Sequence, residues 1–287
     1  MAVVAILGTG LLGAGMAANL RQRGVKVRVW NRSRDKLAPL VALGAIAADS
    51  PAAAVEGADR VHLVLAADDA VDGVITALRP SLGAGTPIVD HSTNLPERVA
   101  ARFTALRAEG VRYLHCPVFM GPSNARNATG LMLAAGPADE IADLEPALLT
   151  MTGKLWNVGA RGDLAAVYKL LGNSVLIGIT GVLGDTLRVG AGAGLDAEAV
   201  RLLFQHFNPS AFLPVATQRI ARAGQDPTSF ALEMARKDVR LMLETAGEGA
   251  VVLPAIAARM DEVIAAGHGD SDYALFARPW LSPAPRR

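Results

Sequence analysis

The feature that most restricts the fold is a glycine-rich loop directly after an apolar segment near the N-terminus. The segment VVAIL predicts a buried strand, and GTGLLG follows it at once. The next residues, LLGAGMAANLRQRG, predict a helix that ends at Gly24. A strand, a G-x-G-x-x-G loop and a helix in this order are typical of the βαβ unit that binds dinucleotides. The context of the loop therefore predicts a Rossmann domain.

Each glycine of this loop has its own expected role. Gly8 permits a tight turn, Gly10 lets the backbone approach a pyrophosphate, and Gly13 allows the helix to pack closely on the strand. The pyrophosphate would then meet the positive end of the helix. A plain glycine turn is the alternative. The predicted cofactor-binding residues of the loop are Gly8, Gly10, Leu11, Leu12 and Gly13.

The residues after the second predicted strand distinguish between the two nicotinamide cofactors. An NAD site usually has an acidic residue there for the ribose 2′-hydroxyl, whereas this chain continues as WNRSRDK. Its donors and positive charges suit a 2′-phosphate, and we predict NADP(H) in preference to NAD(H). A solvated basic turn is the alternative. The predicted cofactor-binding residues here are Asn31, Arg32, Ser33 and Lys36.

Strand and helix signals alternate as far as about residue 160. Further strands are predicted at VKVRVW, RVHLVLA, TPIVDHS, VRYLHCPV, LMLAAG and KLWNVG, with helical stretches between the earlier ones, which implies a parallel sheet. Beyond this point the strand signals stop, and DLAAVYKLLGNSVLIGITGVLGDTLRVGAGAG predicts one long helix. We therefore predict an α/β protein, with a Rossmann domain at 1–160 and an all-α domain at 161–287.

Composition restricts the function further. Hydrophobic residues make up 51% of the 287 residues and charged residues 19%, which is typical of a globular protein with a large core. A formal net charge of +1 gives no general attraction to nucleic acids or acidic membranes. The apolar N-terminal segment has the length of a membrane span, but its glycines favour a strand followed by a helix. We expect a small-molecule substrate and neither a nucleic acid nor a membrane as partner.

The single cysteine, Cys116, can form no internal disulfide. One free cysteine suits a reducing compartment, and we expect a cytoplasmic protein. His115 lies beside it, but no further cysteine or histidine completes a set of four ligands, so no metal site is predicted.

The long predicted helix carries two polar residues in an apolar environment. Lys169 and Asn173 are four residues apart and share one face, and the run after them as far as Gly184 has no charge. A helix that is apolar on most sides is usually buried. A buried lysine without a function is rare, so we predict a functional role for Lys169.

A second lysine lies in a later predicted helix. Lys237 recurs with Phe230, Met234 and Leu241 at helical spacing, which places it on the apolar face. The alternative is a lysine that extends from the edge of that face into solvent.

Six stretches together resemble the β-hydroxyacid dehydrogenase family, which includes 3-hydroxyisobutyrate dehydrogenase and the glyoxylate and succinic semialdehyde reductases. They are collinear over nearly the whole chain: GTGLLGAGMAANL, WNRS, DHSTNLPE, CPVFMGPSNA, YKLLGN and RKDVRL. The resemblance implies a Rossmann domain, an α-helical substrate and dimerisation domain built on a long interdomain helix, and an active site in the cleft between the domains. It also implies a homodimer or homotetramer assembled through the helical domain.

The resemblance also implies roles for individual residues. Lys169 matches the catalytic acid/base, and Asn173 matches an asparagine that helps to hold the substrate. Ser92 and Thr93 match the D-x-S-T stretch that faces cofactor and substrate, and Lys237 matches a lysine near the nicotinamide. The implied reaction is reversible hydride transfer between NADP(H) and a carbonyl or alcohol carbon of a semialdehyde, keto acid or β-hydroxy acid.

The predicted substrate loop departs from the family pattern P-V-S-G-G. Here Phe119 replaces the serine and Met120 the first glycine, and only Gly121 remains. A phenyl ring cannot donate the hydrogen bond with which that serine holds a substrate carboxylate. Either the substrate is not a small hydroxy acid, or both apolar side chains pack into the core, or another donor replaces the serine. The candidate donors are Ser92, Ser123, Asn124 and backbone N–H groups.

Two other functions remain open. Imine reductases share a similar fold but usually have aspartate or tyrosine at the position of Lys169, so the lysine favours carbonyl chemistry and leaves imines or less polar carbonyl compounds as an alternative. A non-catalytic NADP-binding sensor would keep the glycine loop without an acid/base. The presence of Lys169, Asn173 and Lys237 argues against a sensor.

Overall fold

The computed structural model describes residues 2–281, which fall into two compact units. The first unit ends at Asn173 and the second begins at Ser174, within one long helix. The strands are β1 (Val3–Leu7), β2 (Lys26–Trp30), β3 (Ile46–Ala47), β4 (Arg60–Leu63), β5 (Ile88–Asp90), β6 (Tyr113–His115), β7 (Val118–Phe119), β8 (Leu131–Ala135) and β9 (Lys154–Gly159). The helices of the first unit are α1 (Leu11–Gln22), α2 (Ala38–Ala42), α3 (Pro51–Val55), α4 (Asp68–Leu78), α5 (Pro96–Ala108), α6 (Pro122–Asn127) and α7 (Ala138–Leu148).

The long helix and those after it complete the described chain. They are α8 (Leu164–Gly192), α9 (Ala197–His206), α10 (Phe212–Arg222), α11 (Leu232–Ala246) and α12 (Leu253–Val263). The predicted α/β fold followed by a helical region is confirmed. The predicted domain boundary at residue 160 lies between β9 and α8, whereas the division into compact units lies inside α8.

The sheet of the first unit is parallel over its central strands. Its order is β3-β2-β1-β4-β5-β6-β8-β7, with β9 beside β8. The carboxyl ends of β1, β4, β5 and β6 therefore meet at one edge, where ligands bind in doubly wound folds. The predicted parallel sheet is confirmed for these strands, whereas β8 is antiparallel to β6 and β7. The chain between β6 and β8 contains only β7 and a six-residue helix, without a long crossover helix.

Helices cover both faces of this sheet because successive residues of a strand point to opposite faces. On one face Ile6 of β1 belongs to a fully buried cluster with Met16 of α1. On the other face Leu7 belongs to a cluster with Val71 of α4. The apolar N-terminal segment is therefore the central strand and first helix of a sheet core, and its interpretation as a strand and helix is confirmed.

The second unit is a small helical core. Apolar side chains of α11 pack against those of α12, and the buried members are Leu232, Ala235, Val239, Leu253, Ala257, Met260 and Val263. The Asp185 carboxylate of α8 accepts hydrogen bonds from the N–H groups of Val251 and Leu253 at the start of α12, at 2.7 Å each. These bonds satisfy backbone donors that a helix start leaves without an intrahelical partner.

The expectation that the long helix is buried is wrong for most of α8. Its start is buried at Ala165 and Ala166, and Asp185 and Gly190 are buried near its end. Between these positions the apolar side chains are exposed, and Ile177 is 72% exposed. By length and composition α8 could also cross a membrane, and it is the one such helix among residues 2–281. The apolar composition of α8 therefore does not correspond to burial within the described chain.

Candidate active site and dinucleotide-binding loop

The glycine loop after β1 has the backbone conformations that its motif requires. Gly8 has a φ of +98°, and a Cβ atom there would lie 2.2 Å from the Val64 carbonyl oxygen. A Cβ atom at Gly13 would lie 2.0 Å from the Gly8 carbonyl oxygen. At Gly10 it would meet nothing within 4 Å. Side chains are therefore excluded at Gly8 and Gly13, while the space beside the Gly10 backbone is open.

The two leucines that follow Gly10 differ in their surroundings. Leu11 is 80% exposed in the first turn of α1. Leu12 is partly buried and packs against the core. The exposed N-terminus of α1, with its free N–H groups, therefore lies open to a ligand on the side of Leu11.

Asn31, at the end of β2, connects this strand to the glycine loop. Its Oδ1 accepts a hydrogen bond from the Thr9 N–H at 3.0 Å, and its Nδ2 donates to the Ser33 carbonyl oxygen at 3.0 Å. Both ends of the Asn31 amide are therefore used in shaping the loop. The predicted phosphate donors that remain are its neighbours.

The basic residues after Asn31 are not equivalent. Arg34 forms an ion pair with Asp49 at 2.7 Å. Arg32, Ser33 and Lys36 are exposed. The side chains of Arg32 and Lys36 have no ion pair with any residue that the structure describes. Two uncompensated cations therefore lie beside the glycine loop.

Buried polar atoms without hydrogen-bond partners concentrate at the same sheet edge. Three such atoms are Thr9 Oγ1 after β1, Asn94 Oδ1 after β5 and His115 Nδ1 at the end of β6. Buried polar atoms are normally satisfied, so these atoms fit a polar ligand that completes their bonding. Together with the open space at Gly10, they fit a nicotinamide dinucleotide. Within residues 2–281, no group of three or more His, Cys, Asp or Glu residues is arranged to hold a metal ion.

The carboxylate of Asp90, at the end of β5, organises the following loop. It accepts hydrogen bonds from the Ser92 N–H at 2.9 Å, from Asn94 Nδ2 at 2.9 Å and from the Tyr113 hydroxyl at 2.8 Å. Burial, with a further contribution from the Asp90 carboxylate, raises the pKa of Tyr113 well above its ordinary value. The neutral phenol is therefore a permanent donor to Asp90. Asn94 and Tyr113 were not predicted from the sequence, since neither belongs to a spacing pattern.

The two predicted residues of this loop are placed differently. Ser92 is buried, and its Oγ accepts a hydrogen bond from the Leu65 N–H at 3.0 Å. Thr93 is exposed. Thr93 is therefore accessible to a ligand, whereas Ser92 joins this loop to the one after β4.

Lys169 is held against the strand that carries the predicted substrate loop. Its Nζ donates a hydrogen bond to the Val118 carbonyl oxygen at 2.7 Å and lies 4.3 Å from the centre of the Phe119 ring. The side chain is half-buried, and this burial lowers the pKa of Lys169 below its ordinary value. A Cβ atom at Gly172 would lie 2.2 Å from the Phe119 ring, so this glycine lets the ring reach α8.

The substrate loop shows that its two unusual side chains have different environments. Met120 packs against the main core of the first unit. Phe119 packs beside Leu133 and Ala135 but also covers the Lys169 ammonium group. The interpretation as core residues therefore describes Met120, while Phe119 directly contacts the predicted acid/base.

Most of the alternative donors in this loop are already used. Asn124 Oδ1 accepts from the Gly121 N–H at 3.0 Å, and Asn124 Nδ2 donates to Thr129 Oγ1 at 2.9 Å. Gly121 and Ser123 are exposed. Of the proposed substitutes for the family's serine, Ser123 is therefore the accessible side chain in the loop itself.

Two predicted residues have weaker structural support. Asn173 is partly buried, and its side chain has no hydrogen bond to another residue of the described chain. Lys237 belongs to the second unit, where it is exposed and lies 3.1 Å from Asp238. Its predicted roles at substrate and nicotinamide remain predictions.

The helical stripe that was predicted around Lys237 needs correction. Phe230 precedes the start of α11, and Met234 and Leu241 are 47% and 46% exposed. The face of α11 that is buried within the second unit instead carries Leu232, Ala235 and Val239. The periodicity identified an apolar face correctly, but that face is not the one covered by α12.

Comparison with known proteins agrees with this geometry. Residues 3–159 match the family described as the NAD-binding domain of 6-phosphogluconate dehydrogenase. The glycine loop and this match define a nicotinamide-dinucleotide-binding oxidoreductase. The chain belongs to the β-hydroxyacid dehydrogenase family.

Individual relatives extend over most of the chain. The 3-sulfolactaldehyde reductase of Escherichia coli K12 is 26% identical over 95% of this chain and 94% of that protein. The 3-hydroxyisobutyrate dehydrogenase of Pseudomonas aeruginosa is 33% identical over 68% of this chain and 66% of that protein. An imine reductase from Myxococcus stipitatus in complex with NADP+ has a TM-score of 0.83 at 22% identity, over 96% of this chain and 99% of that one. This last likeness shows a shared fold.

Proposed function

We propose that this protein is an NADP(H)-dependent reductase or dehydrogenase in which Lys169 is the acid/base. The observation that carries the proposal is the half-buried Lys169 ammonium group, held by the Val118 carbonyl oxygen and the Phe119 ring. Relatives that are named as an aldehyde reductase and a hydroxy acid dehydrogenase support hydride transfer at a carbonyl or alcohol carbon.

The nicotinamide, when bound, supplies or accepts the hydride. In reduction, negative charge develops on the former carbonyl oxygen, and the Lys169 ammonium group stabilises it and donates a proton. In oxidation, the neutral amine accepts that proton. Burial lowers the pKa of Lys169 and so favours the neutral amine, whereas contact with the Phe119 ring favours the cation. The Asn173 amide would hold the substrate oxygen at hydrogen-bonding distance.

The preference for NADP(H) is supported by the charges beside the glycine loop. Arg32 and Lys36 are exposed and uncompensated, with the Ser33 hydroxyl between them. Cations and a hydroxyl donor match a ribose 2′-phosphate. Asp35 is the nearest acidic residue, and it belongs to the short 3₁₀ helix that follows.

A second candidate is the reduction of imines or of carbonyl compounds without a carboxylate. It is favoured by the Phe119 ring, which places an apolar surface in contact with Lys169 where a hydroxyl donor was expected. The overall likeness to imine reductases is compatible with this candidate. It shares the same cofactor and acid/base and differs only in the substrate.

The experiment that tests the function measures the decay of NADPH fluorescence with a panel of aldehydes, keto acids and cyclic imines. Turnover of any member supports the oxidoreductase, and the order of kcat/KM identifies the substrate class. If NADPH binds tightly and no member is reduced, the non-catalytic sensor replaces the proposal. If no nicotinamide cofactor binds, both are wrong.

We further propose that the protein is a homodimer or homotetramer assembled through its helical unit. Exposed apolar side chains recur along α8, and α9 and α10 also carry them, where Leu203 and Phe212 are 50% and 43% exposed. A surface of this kind marks an interaction site. A bilayer is the poorer occupant, because Ala165 and Gly190 fix both ends of α8 in packed protein.

A further inference from the structure

Two buried histidines lie at the carboxyl edge of the sheet without a role in the proposed mechanism. His62 on β4 is fully buried, and His91, directly after β5, is 3% exposed. Their rings are nearly parallel, with an interplanar angle of 6° and ring centres 5.1 Å apart. His62 Nδ1 and His91 Nε2 are 2.8 Å apart. Two buried imidazoles joined in this way restrict each other's protonation.

The partners at the two ends determine where the protons are. Arg60 Nε, which can only donate, lies 3.0 Å from His62 Nε2. The Cys116 carbonyl oxygen, which can only accept, lies 2.7 Å from His91 Nδ1. His91 therefore carries its proton on Nδ1, and His62 has a bare Nε2. The remaining proton of His62 is on Nδ1 and is donated to His91 Nε2.

This relay from Arg60 through His62 and His91 to Cys116 is complete only when both imidazoles are neutral. A proton added to His91 Nε2 would face the His62 Nδ1–H, and one added to His62 Nε2 would face the Arg60 Nε–H. Burial, followed by the charges of His91 and Arg60, lowers the pKa of His62 well below its ordinary value. Burial also lowers the pKa of His91 to about 4.

The groups that face the pair come from three strands. Arg60 belongs to β4, Asp90 ends β5, and His115 and Cys116 belong to β6 or follow it directly. Burial is the largest influence on His91 and opposes its charged form, as His115 does, whereas the Cys116 carbonyl oxygen and Asp90 favour it. The Asp90 carboxylate already accepts three hydrogen bonds, from groups other than His91.

The relay includes His91, which directly precedes the predicted ligand-facing residues Ser92 and Thr93. Next to His91, all three polar groups of Ser92 are fixed. Its N–H donates to Asp90, its carbonyl oxygen accepts from His115 Nε2 at 3.0 Å, and its Oγ accepts from the Leu65 N–H. Leu65 directly follows the carbonyl group that packs on Gly8. The histidines are thus joined through Ser92 to the glycine loop.

We propose that His62 and His91 are positioning residues that fix the Ser92–Thr93 loop against the dinucleotide-binding loop, and that they do so only while both are uncharged. The proposal deepens the proposed function, because it takes this loop to be part of the NADP(H) site. It assigns a role to an arrangement of side chains that does not touch the reacting atoms.

The first test reads the tautomers directly in the wild-type protein. Nitrogen-15 NMR of histidine-labelled protein at pH 7.5 is expected to show the Nδ1–H tautomer for His62 and His91 and the Nε2–H tautomer for His115. Each histidine signal is assigned by its loss in the variant in which that histidine is replaced. An Nε2–H or doubly protonated ring at His62 or His91 would overturn the relay. This result does not depend on cofactor binding or turnover.

The second test compares two substitutions of His62. In His62→Asn the amide NH₂ lies near the position of Nδ1 and can still donate to His91, whereas His62→Leu cannot. We expect the leucine variant to bind NADPH about tenfold more weakly than the wild type, because a buried acceptor is left unpaired. We expect the asparagine variant to stay within about threefold.

The two tests together distinguish a failure of the relay from a failure of the proposed function. Wild-type affinity in a folded His62→Leu protein would overturn the positioning role. If that variant does not fold, the tautomer measurement decides. If the wild-type protein binds no NADPH while the tautomers are as expected, the proposed function fails and the relay itself stands.

Discussion

At the scale of single residues, the contact between Lys169 and Phe119 controls the proposed chemistry. Burial and the aromatic ring act on the lysine in opposite directions: burial favours the amine, and the ring favours the ammonium ion. The sequence identified Lys169 by its position in an apolar helix. It could not show that the Phe119 ring covers the ammonium group. That contact brings Phe119 of β7 against α8, where Gly172 leaves the gap for the ring.

Phe119→Leu should shift the pH dependence of reduction. Reduction needs the ammonium form, so its rate falls as pH rises through the pKa of Lys169. Loss of the ring removes one of the two contacts that favour the ammonium form and moves this fall to lower pH, by about half to one pH unit. The pH profile of kcat/KM measures it, with Phe119→Tyr as the control that keeps a ring. An unchanged profile in the leucine variant would contradict the role of the ring.

Arg32→Ala should weaken NADPH binding by about tenfold or more, because a charged hydrogen bond to phosphate is lost. NADH binding should change little. Arg34→Ala is the matched control, since Arg34 is already paired with Asp49. Fluorescence titration of each variant with both cofactors provides the measurement. An equal loss of affinity for NADPH and NADH in Arg32→Ala would mean that this residue does not bind the 2′-phosphate.

The buried histidines predict a loss of stability in mild acid. In the unfolded chain histidine titrates near its ordinary value of 6.5, whereas the pKa of His91 is lowered to about 4 in the folded protein. Between these values the unfolded state binds more protons, so stability is present above pH 6.5 and is lost as pH falls toward 4. One such group contributes about 1.4 kcal/mol per pH unit within this window.

Urea unfolding at pH 7.5, 6.0 and 5.0 measures this loss. His62→Asn removes one of the three buried histidines whose pKa is lowered, the others being His91 and His115, and should show a shallower fall than the wild type. A free energy of unfolding that is constant from pH 6.5 to 5.0 would contradict the uncharged state of the pair.

At the scale of elements, local patterns identified the parts of the fold better than they identified their surroundings. Alternation and apolar runs located the central strands, and the extent of α8 agreed closely with the apolar stretch that predicted it. Short helices such as α3 and α6 lack a full period of apolar residues and were not predicted. The direction of β8 and the exposure of α8 also escaped prediction, because both depend on neighbouring elements rather than on local sequence.

The exposed face of α8 predicts an oligomer. Light scattering coupled to size exclusion should give at least twice the chain mass of 29.8 kDa. Ile177→Asp, at a position 72% exposed in the single chain, should reduce this mass, because a charge would be buried at the interface. Val41→Asp on α2 is the control, at an exposed apolar residue of the first unit. A monomeric wild-type protein would contradict the proposed assembly.

At the scale of the whole molecule, the predicted site residues are divided between the two compact units. The first unit holds the glycine loop, the loop after β5 and Lys169, and the second holds Lys237. The sequence predicted these residues by motif, and the structure adds a hydrogen-bond network around the loop after β5. That network includes Asp90, His91 and Asn94 at and after the end of β5, His62 of β4 and Tyr113 of β6, which no sequence motif joined.

The central claim is that the Lys169 ammonium group exchanges a proton with the substrate oxygen. The most direct test is Lys169→Met, which keeps a long apolar side chain and removes the charge, beside Lys154→Met, an exposed lysine of β9, as control. We expect kcat to fall by about 100-fold or more in the Lys169 variant, with NADPH affinity retained, and the control to match the wild type. Turnover within about tenfold of the wild type in a folded Lys169→Met protein would contradict the account.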